Sequence, residues 1–564
     1  MRTLRLVLFY LAVALAALAQ RVTISLLATT DLHGNIYPYD YYTARPAGRG
    51  LAKLATLIEV ARRENPNSLL IDCGDTIQGA PIEIVYAQYV RSGRLPLGLD
   101  LPAGSLKADP MMLVMNHLRF DAMVLGNHEF NFGLKVLDRA RADARFPWLS
   151  ANTESVAGSG RSSFAPYIVK TVAGVKVAVI GITTPAIPQW EKPEHYAGLR
   201  FLPGKDAAER MVAVLKAKHQ PDVIVVAVHA GLERGTDQGS ENMVGEIAAG
   251  VAGIDAVVYG HSHQQVAEKR VGEVLLMQPK NWGISLGRID FELEREGGRW
   301  KVVNKSSRLI PAAADTPADA EVLRIARPYH EITERYLNTP VARSSVATDG
   351  RFGRIMDSAL LDAVHAVQLH YTKADVSLTA MFNPGVRFPA GPVTVRQIAA
   401  LYIYDNELYA VEGNGRMLRE ALENAARFFR TCPDASCTTG PLVNRGVAGF
   451  NFDIAQGVEY EIDLTRPAGQ RVRDLRWCGK PLADDQPLRI AINNYRSGGS
   501  GGYTMFRAAK VVWRSSEEIR DLIIAYYAER GALPDKPDDN WRIVPPAAVE
   551  TLKKETSAAG PSNQ

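Results

Sequence analysis

Asp31, His33, Asp75, Asn127, His128, His229, His261 and His263 each sit where an apolar run of the sequence gives way to a polar cluster. Carboxylates, an amide and imidazoles in one set are the mixed N/O donors that suit a hydrolytic pair of divalent cations sharing a carboxylate. Taken singly, a histidine is more often a hydrogen-bonded core or surface group, and a lone aspartate a turn or helix cap. Jointly those readings weaken, because an apolar strand rarely needs to end in Asp-x-His, Gly-Asp, Gly-Asn-His and Gly-His-x-His within one domain. Cysteine does not join the cluster, so a closed structural zinc site is not the reading.

Such a set can only converge if the elements carrying it run side by side. The runs "VTISLLATT", "SLLIDCG", "DAMVLG", "VKVAVIGIT", "DVIVVAVHAG" and "DAVVYG" read as strands, alternating with amphipathic stretches such as "GLAKLATLIEVARREN" and "DAAERMVAVLKAKH". That alternation predicts an α/β layered domain over residues 20–312, with ligand groups gathered at the carboxyl ends of its strands. Ala/Asp/Pro-rich residues 313–340 read as a linker helix, residues 341–549 as a second domain mixing helices with β-like runs, and residues 550–564 as a disordered tail.

With 564 residues and 46% apolar content the chain can bury two large cores. Its net charge is only +4 and the basic residues are dispersed, which argues against a nucleic acid polymer as partner. Residues 1–19 combine Arg2 and Arg5, an apolar run and Ala17-Leu18-Ala19, as a cleaved secretory signal does. This predicts a periplasmic or secreted protein with no stable membrane span after cleavage. In that compartment Cys432 and Cys437 could form a disulfide; Cys478 could be free or paired, and Cys73 reads as a buried thiol.

The ordered segments "TTDLHGN", "CGDTIQG", "LGNHEF", "VAVHAG" and "GHSH" resemble the motifs of the calcineurin-like metallophosphatases. The branch they resemble most is the secreted bacterial group of 5′-nucleotidases and 2′,3′-cyclic-nucleotide phosphodiesterases. The resemblance implies a metallophosphatase sandwich followed by a C-terminal α+β nucleotide-binding domain, with a nucleotide as small-molecule substrate. It implies two divalent ions (zinc, manganese, cobalt or magnesium), one taking Asp31, His33, Asp75 and His263, the other Asp75, Asn127, His229 and His261. His128 is then free to stabilise charge on a phosphoryl oxygen and protonate the leaving group, with Asn131 orienting it.

For the substrate, the resemblance points to Phe450 and Tyr495 as a base clamp, with Phe452 a weaker choice, since two aromatic faces can sandwich a nucleobase. Asn493, Asn494 and Arg496 are candidates for contacts to base, ribose or phosphate, and Arg387 for a phosphate contact. Three departures from the 5′-nucleotidase pattern favour 2′,3′-cyclic-nucleotide 2′-phosphodiesterase/3′-nucleotidase: Asn131 where a carboxylate is usual, His263 where glutamine is usual, and Ser500 in the glycine-rich loop where aspartate reads the ribose. An amide stabilises an imidazolium less than a carboxylate does. The alternatives are a 5′-nucleotidase/UDP-sugar hydrolase, which Arg387 and "SGGSGGY" favour, and an inactive nucleotide-binding surface protein, which the full ligand set disfavours.

Overall fold

The computed structural model describes residues 20–100, 106–160, 163–233, 241–404, 406–434 and 436–558; the expected signal segment, 1–19, lies outside them. The chain divides into two compact units between Tyr336 and Leu337.

In the first unit the six runs expected as strands are strands: Arg21–Thr29, Ser68–Asp72, Ala122–Val124, Val175–Thr183, Val223–His229 and Ala256–Tyr259. They belong to two six-stranded sheets. In the first sheet Arg21–Thr29, Ser68–Asp72, Ala122–Val124 and Trp148–Leu149 run parallel. In the second, Val175–Thr183, Val223–His229, Ala256–Tyr259 and Val274–Gln278 do so. Val223–His229 is buried along its whole length, as expected of a continuous apolar run with a parallel neighbour on each side.

One face of each sheet meets the other in a single core, with Leu26, Ile71 and Val124 on one side and Val177, Val225 and Val258 on the other. The opposite face of the second sheet packs on the helices Gly204–Lys218 and Val244–Gly250 through Ala207, Leu215 and Ile247. Leu51–Glu64 places Leu51, Leu54, Ala55, Ile58 and Ala61 on its buried side, the three-four spacing of an amphipathic helix. The antiparallel hairpin Ser285–Glu296/Arg299–Pro311 closes the first sheet against Arg21–Thr29, an edge the strand–helix alternation did not foretell.

One expected element is located and one is corrected. The helix expected as a linker is Ala320–Leu337, and it packs on the first unit: Tyr37 Oη donates to the Leu323 carbonyl, Tyr329 Oη to that of Ala108, and the Tyr37 and His330 rings stack 4.1 Å apart. The residues expected as a tail from 550 continue a helix, Pro546–Ala558. Ala548, Thr551 and Leu552 recur at helical spacing on its buried side, and the Glu555 carboxylate accepts from the Leu442 and Val443 amides. Low overall hydropathy concealed one apolar stripe.

The second unit is built on a five-stranded sheet in the order Asp453–Gln456, Val376–Ala380, Pro487–Asn493, Glu407–Asn414, Val511–Glu518, beside a four-stranded sheet that includes Glu459–Asp463. Among its helices is Ala359–Thr372. Cys432 and Cys437 form a disulfide, Cys73 is buried and Cys478 is an exposed thiol. Among the described residues no helix is long and apolar enough to cross a membrane.

Candidate active site

All the N-terminal donors read from the sequence come together just beyond the carboxyl ends of the parallel strands. Asp31, His33 and His263 offer donor atoms within 4.8 Å of one another, and so do Asp75, His229 and His261. Asp75 lies between the groups: its Oδ2 is 3.0 Å from His229 Nε2, 4.0 Å from His33 Nε2 and 3.9 Å from His128 Nε2. Asn127 Oδ1 is 3.1 Å from His229 Nε2 and 3.0 Å from His261 Nδ1.

The imidazoles are oriented from behind, as in carboxylate- or carbonyl-backed metal ligands. Nδ1–H of His33 donates to the Gln78 carbonyl and Nδ1–H of His229 to that of Cys73, leaving each Nε2 directed at the site. His261 is turned round, with Nε2–H donating to Glu241 and Nδ1 facing Asn127. The two sheets are joined here, because the Asp31 carboxylate accepts from the backbone N–H of His261.

The backbone is strained at this edge. Asp31, His33, Asp75, His261 and His263 all have positive φ, between 47° and 69°, a region that non-glycine residues seldom occupy and that collects at functional sites. Gly126 and Gly260 are needed for close approach: a Cβ at Gly126 would lie 2.3 Å from Asp75 Oδ1, and one at Gly260 1.9 Å from Thr30 Oγ1.

Burial opposes charge throughout. Even so, His229 and His128 hold Asp75 well below the carboxylate range, and Asp75 pushes His229 up to about 10. Burial pushes His33 down to about 4, keeping it a neutral donor. Buried carboxylates facing imidazole nitrogens, with His33, His229 and His261 held from behind, fit divalent cations well.

Glu129 was missed by the sequence reading, though it stands inside "GNHEF". It is fully buried and accepts from the amides of Gly126, Asp75 and Thr76 at 2.7, 3.0 and 2.6 Å, pinning the loops that carry Asn127 and Asp75. Burial, with Asp75 nearby, pushes its carboxyl up to about 7. Only its position one residue after His128 could have signalled it.

His128 Nδ1 is 2.5 Å from Asn131 Oδ1, so the expected partnership is formed.

In the second unit Phe450 and Tyr495 are 36% and 44% exposed, as a base clamp requires, whereas Phe452 is buried against Phe428, Phe429 and Trp541. Tyr404, in "YIYDN", is 38% exposed and lies edge-on to Phe450 at 6.2 Å.

Two contact assignments are corrected. Arg496 is 1% exposed; its guanidinium donates to both Asp453 oxygens, to Asn451 Oδ1 and to the Phe450 carbonyl, and it lies 5.3 Å from the Tyr495 ring. It stitches together the segments bearing the two exposed aromatics, with four of its five N–H groups engaged within the protein. Asn493 is likewise buried, its Oδ1 accepting from Arg496 N as a helix cap. Asn494 is half-buried and accepts from Asn406, and the exposed Arg387 pairs with Asp349 at 2.8 Å on a two-stranded ribbon.

A two-sheet sandwich whose parallel strand ends converge on carboxylate, amide and imidazole donors defines a metal-dependent phosphoester hydrolase. The family model described as "Calcineurin-like phosphoesterase" matches residues 24–265, and that described as "5'-nucleotidase, C-terminal domain" matches residues 340–508. The chain is 31% identical to the "Trifunctional nucleotide phosphoesterase protein YfkN" of Bacillus subtilis over 96% of its own length, and spans 40% of that longer protein. It is 28% identical to the "2',3'-cyclic-nucleotide 2'-phosphodiesterase/3'-nucleotidase" of Salmonella typhimurium, covering 94% of this chain and 90% of the relative. A crystal structure of the calcineurin-like phosphoesterase YfkN from Bacillus subtilis matches at 32% identity with a TM-score of 0.50, over 56% of this chain and 99% of that one. The chain belongs to the calcineurin-like phosphoesterase family, and carries a 5′-nucleotidase C-terminal domain.

Proposed function

We propose that the protein is a 2′,3′-cyclic-nucleotide 2′-phosphodiesterase/3′-nucleotidase working with two divalent cations. The observation that carries the catalytic reading is Asp75: one oxygen lies within 4.0 Å of Nε2 of His33, His229 and His128, where a carboxylate shared by two cation sites and facing a proton donor belongs. Asp31, His33, Asp75 and His263 would hold one cation, and Asp75, Asn127, His229 and His261 the other. When bound, such a pair stabilises charge on phosphoryl oxygens and supplies activated water.

The remaining work falls to the chain's own groups. His128, its Nδ1 engaged by Asn131, presents Nε2 on the Asp75 side and donates a proton towards the departing ribose oxygen. Phe450 and Tyr495 stack on the base, a contact that tolerates base identity. The similarity to the Salmonella enzyme over nearly its whole length supports the cyclic and 3′ substrates. Ser500 supports them too, since a carboxylate reading free ribose hydroxyls has no use when those hydroxyls are esterified. Nucleotide scavenging outside the cytoplasm accords with the signal-like residues 1–19 and with the Cys432–Cys437 disulfide. The test is comparative turnover of 2′,3′-cyclic AMP, 3′-AMP, 5′-AMP and a UDP-sugar; a dominant rate with either of the last two overturns the assignment.

A further inference from the structure

The segment between the strands Val175–Thr183 and Leu199–Phe201 carries none of the motifs, yet it reaches the site twice. The Trp190 ring lies 5.6 Å from that of His261. One residue on, Glu191 Oε1 accepts from Asn131 Nδ2 at 2.5 Å, and its other oxygen, Oε2, is 2.9 Å from His195 Nδ1. Its carboxylate is almost entirely withdrawn from solvent, the side chain being 6% exposed and that of His195 19%.

We propose that Glu191 is a positioning residue for His128, acting through the Asn131 amide. The inference rests on the reading of His128 as the proton donor. A carboxylate accepts and does not donate, so the Asn131 atom facing Glu191 is the NH2 group. The amide oxygen is thereby turned to His128, which must present Nδ1–H to it, so the proton that the imidazolium gives to the leaving oxygen, and that neutral His128 later regains, is carried on Nε2, the nitrogen facing Asp75. Without Glu191 the amide can rotate by half a turn, offer NH2 to His128, and select the opposite tautomer. His195 closes the chain by donating Nδ1–H to Glu191, which holds that carboxylate in place.

The arrangement also fixes the effect of Asn131→Asp. The new carboxylate would face that of Glu191 at hydrogen-bond distance, and two like charges so close cannot both ionise freely. Glu191→Gln replaces the repelling oxygen with a group that can donate.

The experiment measures kcat and KM on the better substrate of 2′,3′-cyclic AMP and 5′-AMP, whose ribose leaving oxygen needs a proton, with Mn²⁺, together with bound metal and thermal midpoint for Glu191→Ala, Asn131→Ala, their double variant, Asn131→Asp and Asn131→Asp/Glu191→Gln. Alongside, ¹⁵N-histidine spectra of metal-free protein, with the His128 signal assigned by its loss in His128→Ala, report the tautomer. Glu191→Ala should lower kcat by roughly 10–100-fold with KM and metal content unchanged. The double variant should be no worse than Asn131→Ala, Asn131→Asp/Glu191→Gln should regain activity lost in Asn131→Asp, and the His128 signal should leave the Nδ1–H form in Glu191→Ala. Additive losses, an unaltered tautomer, or wild-type kcat in Glu191→Ala would overturn the proposal. Wild-type kcat in His128→Ala would instead overturn the role given to His128, leaving the tautomer shift as the separate measure of Glu191.

Discussion

Nε2 of His33 and Nε2 of His263 lie 3.1 Å apart, though 230 residues separate them in the chain. His33 has already committed its Nδ1–H to the Gln78 carbonyl, so its Nε2 brings a lone pair, and Asp31 Oδ1 stands 3.4 Å from His263 Nε2. Lone pairs and a carboxylate converging on one point are reconciled by a cation. His263→Ala should therefore lose one metal equivalent by elemental analysis, and Asp75→Ala both, with activity falling in step. EDTA should abolish turnover and Mn²⁺ restore it; full activity after exhaustive chelation would contradict the reading.

His128→Ala separates ligand from proton donor. The variant should keep its metal and lose roughly 10²- to 10⁴-fold in kcat, the usual range for a general acid. Loss of bound metal instead would make His128 a ligand.

Much of this site was legible because its donors stand at fixed offsets from strand ends: Asp31 and His33 after one apolar run, His261 and His263 after another. A strand's direction and end survive in a linear pattern. What did not survive was side-chain direction in irregular segments. Arg496 and Asn493 share a segment with the exposed Tyr495, and nothing in "INNYRSGG" says that the arginine turns inward to Asp453 while the tyrosine stays out. Glu191 was invisible for a related reason, lying 60 residues from Asn131 in a stretch with no motif of its own.

Arg496 tests the corrected assignment. Its pair with Asp453 is fully buried, and removing one partner of such a pair costs about 3–5 kcal/mol. Asp453→Asn should lower the thermal midpoint and raise KM for nucleotides, since the segments bearing Phe450 and Tyr495 lose their common tie, while KM for glycerol phosphate, which has no ring to stack, stays constant.

Phe450→Ala and Tyr495→Ala should each weaken nucleotide binding by about 1–3 kcal/mol, read as a higher KM at unchanged metal content, without affecting glycerol phosphate turnover. Equal losses on both substrates would mean that these rings do not meet the base.

Glu83 and Asp109 set a pH dependence of stability away from the donor cluster. Both are buried; burial, and then the neighbouring Asp109 charge, raise Glu83 well above its ordinary value, and burial pushes Asp109 up to about 7. A carboxyl whose folded pKa is raised binds more protons folded than unfolded, so stability falls as pH rises from the ordinary carboxyl range through the folded value. The thermal midpoint should decline between about pH 4.5 and pH 7 and beyond, and Glu83→Gln should flatten that decline. An identical slope in the variant would remove Glu83 as its source.

The most direct measurement is kcat/KM of the Mn²⁺-loaded protein on 2′,3′-cyclic AMP, 3′-AMP, 5′-AMP and a UDP-sugar under one set of conditions. The cyclic and 3′ esters should dominate; a higher kcat/KM for 5′-AMP or the UDP-sugar would overturn the assignment.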